Sequence, residues 1–143
     1  MVTTENNESS YRKNRHIEKE ELIGERLEDV EMLVNDFSDK IKRLACYKAF
    51  QEAIEALFDI IAMLVKDKGK LVEDDYTNVD KLEEAGVLSE QNAKVLREAN
   101  GLRNRIVHRY NKTDDNIARE SILAIMPHLK DIISKIMQRK NEK

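Results

Sequence analysis

Between Leu102 and Tyr110 the chain places Arg103, Asn104, Arg105, His108, Arg109 and Tyr110 within a few turns of what reads as a helix. Arginine, four intervening residues, histidine, one residue and tyrosine make an R-x4-H-x-Y pattern. A guanidinium holds a phosphate through a planar fork of donors. An imidazole moves protons near neutral pH, and a tyrosine hydroxyl is open to modification. That combination points to phosphodiester chemistry on RNA, which carries its own nucleophile in the 2′-OH. Cleavage then needs a base, an acid and positive charge for the transition state.

At about 100° per residue, with Arg103 set to about 0°, Val107 falls near 40°, Asn104 near 100°, His108 near 140° and Tyr110 near −20°. Val95, Ala99, Leu102 and Ile106 cluster between about −100° and −40° and mark the inward side. Asn104 therefore sits one turn from His108, placed to orient the imidazole or touch substrate. Arg105 and Arg109 pair toward solvent. Arg103 and His108 are too far apart in azimuth to pair tightly, but both can line a cleft that a second surface completes, such as a symmetric copy of the motif. Substituting them removes polar groups from a flank, so little stability loss is expected. Taken alone, an arginine-rich helix end also reads as a solvated C-terminus whose charges suit the helix dipole.

The chain that must position these residues has 143 of them, enough for one domain. Charged residues make up 37%, with no Trp, one Pro and four Gly, which favours helices over turn-rich β architectures. The formal net charge is −3, so RNA contact would use a local basic patch. The lone Cys46 reads as a small buried hydrophobe. His16, His108 and His128 are scattered, no cluster has metal-ligand spacing, and no cofactor is expected; His16 and His128 read as surface residues. No apolar run is long enough for a membrane span, and a polar start without a signal-like apolar core makes a cytoplasmic protein the default.

Residues 1–15 read as a flexible polar tail and residues 16–140 as the helical domain. Helical periodicity places a first helix over residues 17–37 and a second over 40–66, ended by Gly69. The wide apolar surface of the second suits a central or dimer-seam helix. A short helix over 79–85 is expected, with Thr77 or Asn78 as its cap and Gly86 as its stop. The motif helix follows Ser89. Thr113 or Asp114 caps the last helix, whose inner face is expected to carry Ile117, Ile122, Ile125, Met126, Leu129, Ile132, Ile133, Ile136 and Met137. Pro127 predicts a kink or break in it. The fold class is all-α, an antiparallel four-helix bundle with a short additional helix.

The run Gly101-Leu102-Arg103-Asn104-Arg105-Ile106-Val107-His108-Arg109-Tyr110 resembles the signature of the HepT-like branch of the HEPN superfamily. Ala49-Phe50-Gln51-Glu52-Ala53-Ile54-Glu55-Ala56 is similar to that family's central helix. Leu82-Glu83-Glu84-Ala85-Gly86-Val87-Leu88-Ser89 resembles its linker, and Met126-Pro127-His128-Leu129 its proline point. The resemblance covers roughly residues 20–137. It implies a homodimeric, metal-independent endoribonuclease that is the toxin of a type VII-like toxin–antitoxin system. The implied antitoxin partner is a nucleotidyltransferase that transfers AMP to Tyr110. Arg103 and His108 are the implied catalytic pair, with Asn104 and Arg105 binding or orienting RNA. The alternative is a non-catalytic nucleotide-binding partner of a nucleotidyltransferase, in which Arg103 and Asn104 grip a phosphate without cleaving anything.

Overall fold

The computed structural model describes the backbone of residues 4–108 and 114–141, with side chains for 10–108 and 114–137. Helices α1 (Thr4–Leu33), α2 (Lys40–Asp67), α3 (Asp75–Glu84), α4 (Glu90–His108) and α5 (Asp115–Asn141) follow in order, with a 3-10 turn at Val34–Asp36 between the first two. Four are long. The short α3 fills the connection between α2 and α4, as expected for a four-helix bundle with one added helix.

α2 is the spine. Cys46, Phe50, Ala53, Ile54, Leu57, Phe58, Ile60, Ile61 and Val65 are all buried, because α1, α3 and α4 each pack against it. Its N-terminus is capped by Asp39, which accepts from the Lys42 amide at 3.1 Å. Gly69 follows its C-terminus at φ 72°, a left-handed turn that costs glycine little. Ser89 accepts from the Asn92 amide at 3.1 Å and starts α4. Asp114, one of the two expected caps, accepts from the Asn116 and Ile117 amides and starts α5.

Several boundaries differ from the sequence reading. α1 begins at Thr4, so helix runs back through the polar segment read as a tail. Extending an existing helix avoids the nucleation cost, and the Arg12 guanidinium pairs with Asp67 at the end of α2. The extension explains His16, which is buried rather than on the surface: it lies two turns before Ile23, on the stripe of Ile23, Leu27 and Val30. α3 starts at Asp75, not Val79. Asp74 is its cap, its carboxylate accepting from the Thr77 amide and hydroxyl, both at 2.9 Å. Asn78 is 2% exposed and clamps the preceding loop, accepting from the Glu73 amide at 2.8 Å and donating to its carbonyl at 3.1 Å. In α5 the inner stripe is Ala118, Ile122, Ile125, Met126, Leu129, Ile132 and Ile136. Ile117 falls one residue off it and is 63% exposed. α5 continues through Pro127 without a break. The Leu123 carbonyl that loses its helical donor lies on the exposed side with Pro127, where water can serve it.

Candidate active site

α4 is buried over a wider arc than the sequence wheel drew. Val95, Ala99, Leu102 and Ile106 are buried as expected, but so are Leu96 and Asn100, at 0% and 3% exposure. These two stand at about 20° and 60° from Arg103. α4 thus has a second inward face, toward α2 and α3, and Arg103 extends it by one turn.

That placement gives Arg103 a protein partner. Its Nη2 donates to Glu55 Oε1 of α2 at 2.6 Å, and its Nη1 donates to Asn104 Oδ1 at 2.7 Å. Gln51, one turn before Glu55, donates from Nε2 to the same Glu55 oxygen at 3.0 Å. Burial, the largest single influence, tends to raise the Glu55 carboxyl's pKa, but the hydrogen bonds from Arg103 and Gln51 together with the charges of Arg103 and Lys48 outweigh it and hold the group below the usual carboxylate range. A guanidinium has five N–H donors; among the described residues these bonds occupy two and Nε is buried, which leaves the second hydrogens of Nη1 and Nη2 for a phosphate.

A cavity of about 130 Å³ opens beside the pair, lined by Ile54, Glu55, Phe58, Asp59, Asp75, Asn100 and Arg103. Asp75 is there because α3 starts early. Burial pushes its carboxyl above the usual range, opposed by the charge of Arg103 and reinforced by Asp59, Asp74 and Glu55. Gly101 follows Asn100 on α4. A Cβ there would stand 3.6 Å from Tyr76 Oη and 3.9 Å from Arg105 Nη1, so Tyr76 and Arg105 converge over it.

His108 is the last residue of α4 and is exposed, as is Arg105. Asn104 is half-buried and engages Arg103, a role the wheel did not foresee. Tyr110 and Arg109 lie outside the described residues. The structure therefore brings Arg103 and Asn104 together and sets His108 at the same helix end. Glu55, Gln51, Asp75 and Asn100 were not picked out from the sequence. For Gln51 and Glu55 a signal existed: a polar pair one turn apart on a helix otherwise rich in buried apolar residues. Among the described residues no group of three or more His, Cys, Asp or Glu side chains is arranged to hold a metal. No helix among them is long and apolar enough to cross a membrane.

The family profile described as ribonuclease HepT-like matches residues 18–136. The chain belongs to the HepT-like ribonuclease family. A candidate RNase of Archaeoglobus fulgidus is 40% identical over 128 residues, covering 90% of this chain and 92% of the relative. A second candidate RNase of that organism is 48% identical over 95 residues, covering 63% and 72%. The fold matches the AMPylated HEPN toxin of Shewanella oneidensis, solved in complex with its MNT antitoxin. That match has a TM-score of 0.80 at 18% identity and covers 87% of this chain and 97% of the toxin. A toxin–antitoxin structure with AMP-PNP matches with a TM-score of 0.78 at 16% identity, covering 85% and 97%. The HepT-like profile spans α2, α3, α4 and most of α1 and α5, so it takes in Glu55, Arg103 and His108 alike.

Proposed function

We propose that this HepT-like protein is the toxin of a toxin–antitoxin pair, a homodimeric endoribonuclease that cleaves RNA by attack of the 2′-OH. The observation that carries the reading is Arg103. It is anchored between Glu55 and Asn104 with donors to spare, at the helix end where His108 is exposed. His108 takes the 2′-OH proton or supplies one to the departing 5′-oxygen, and His108 of the second copy takes the other role. The 2′-oxygen bonds to phosphorus as the bond to the 5′-oxygen breaks, leaving a 2′,3′-cyclic phosphate and a 5′-hydroxyl. Arg103 binds the phosphate and meets the charge that develops on it. Arg105, with Asn104, binds or orients the strand. Side chains supply the base, acid and charge, so the reaction proceeds without a metal.

The antitoxin is a nucleotidyltransferase that silences the site at Tyr110. The Tyr110 oxygen attacks the α-phosphorus of ATP, pyrophosphate leaves, and the phenolic proton passes to a base of the transferase or to water. Solved toxin–antitoxin complexes with the same fold support this partner class. The test is incubation of purified protein with single-stranded RNA in EDTA, alongside light scattering. Cleavage by a species of twice the chain mass is expected. Cleavage only with added Mg²⁺, or full activity in a monomer, overturns the reading.

A further inference from the structure

Arg103 has more than one carboxylate to choose from. Glu55 takes its Nη2 at 2.6 Å, while Asp59 and Asp75 line the same cavity as Glu55 and Arg103. The guanidinium side chain is 24% exposed, so water screens this choice only in part. Gln51 steadies Glu55 from the preceding turn, and Asn104 holds Nη1. Without Glu55, the carboxylates of Asp75 and Asp59 in the same cavity would compete for the cation and shift it from this position. The Arg103 Nε atom is buried and has no hydrogen-bond partner among the described residues, so none of these holds the base of the guanidinium group.

We propose that Glu55 is the positioning residue of the site, its carboxylate anchoring the Arg103 guanidinium across the α2–α4 contact so that the free donors meet the RNA phosphate. The inference rests on the ribonuclease reading and deepens it: Glu55 touches no reacting atom and acts through Arg103. A fork misplaced by about an ångström costs on the order of 10² in rate, because the stabilising charge must already be in place when the transition state forms.

The experiment compares wild type, Glu55→Ala and Glu55→Gln on a short single-stranded RNA, using the full chain. In Glu55→Ala, kcat should fall about 10²-fold while KM changes less than about threefold, the pattern of an interaction that matters mainly in the transition state. Glu55→Gln keeps an acceptor oxygen and should lose only about tenfold, so it restores part of what alanine removes. The second readout is the nitrogen-15 NMR spectrum of the Arg103 guanidinium. Distinct, slowly rotating Nη groups are expected in wild type and Glu55→Gln, and merged ones in Glu55→Ala. Wild-type kcat in Glu55→Ala, or equal losses in both variants with an unchanged Arg103 spectrum, overturns the proposal. If wild type itself leaves RNA intact, the ribonuclease reading fails, and the Arg103 spectrum alone decides whether Glu55 is the anchor: merging in Glu55→Ala upholds it, no change overturns it. Should Glu55→Ala not fold, the Glu55→Gln kinetics and spectrum carry the comparison against wild type.

Discussion

Arg103 Nη2 and Glu55 Oε1 stand 2.6 Å apart and join two helices across 48 positions of sequence. The guanidinium that the motif nominates for phosphate is therefore also part of the packing between α2 and α4. Arg103→Ala should lower cleavage by about 10²–10³-fold. It should also lower the melting temperature by about 3 °C, since a partly exposed ion pair and its buried stem are worth about 1 kcal/mol. The flank position on the sequence wheel implied no such stability loss. Thermal unfolding of the variant decides between the two, and an unchanged Tm would mean that the pair contributes nothing in solution.

The two carboxylates beside Arg103 should respond to pH with opposite signs. Glu55 is held below its ordinary value, so its contribution to stability is present above about pH 4.3 and is lost as pH falls through the folded value. Asp75 is held above its ordinary value, mainly by burial. Its ionisation disfavours the fold, so stability declines as pH rises from about 3.9 through the folded value. Glu55→Gln should thus lower Tm at pH 7, and Asp75→Asn should raise it. Both differences should shrink toward pH 3. Differential scanning calorimetry at the two pH values reads this directly, and shifts of the same sign would refute the assignment.

Much of the fold was legible from residue spacing. The stripe Ile23, Leu27, Val30 fixes the inward face of α1, Gly69 and Gly86 take the left-handed turns that end α2 and α3, and Ser89 and Asp114 cap as expected. What spacing did not reveal was long-range. His16 reads as a polar surface residue until the helix is known to extend past it. Asp74 and Asn78 both suit a cap, and only the loop they clamp assigns their roles. The local motif marks out Arg103, but its partner Glu55 lies on another helix, and one wheel cannot show that two faces of α4 are covered.

Cys46 offers a check on the core. It is 0% exposed, and burial pushes its thiol up to about 11. The thiolate is the reactive form. In native protein at pH 8 a water-soluble thiol reagent should label it at least about 10²-fold more slowly than in denaturant. Rapid labelling of the folded protein would show that α1 and α2 part readily there.

Tyr110 lies outside the described residues; on the helical wheel read from the sequence it falls within about 20° of Arg103, about two turns on. AMP attached there would set a phosphate near Arg103 and an adenosine over the approach, so silencing would be direct competition with RNA. Incubated with the cognate nucleotidyltransferase and ATP, wild type should gain the mass of AMP and lose nuclease activity. Tyr110→Phe should gain none and stay active. Equal labelling of both proteins in mass spectrometry would remove Tyr110 as the acceptor.

The most direct measurement pairs a single-stranded RNA with the same oligonucleotide carrying 2′-deoxyribose at each cut site, incubated with wild type and His108→Ala in EDTA. His108 is exposed at the end of α4, so its removal should leave Tm within about 1 °C of wild type. Wild type should cut the all-ribose strand to 2′,3′-cyclic phosphate ends and leave the deoxy-substituted sites intact, and His108→Ala should cut neither. Cleavage at the deoxy-substituted sites, or wild-type rates in His108→Ala, would contradict 2′-OH attack driven by this motif.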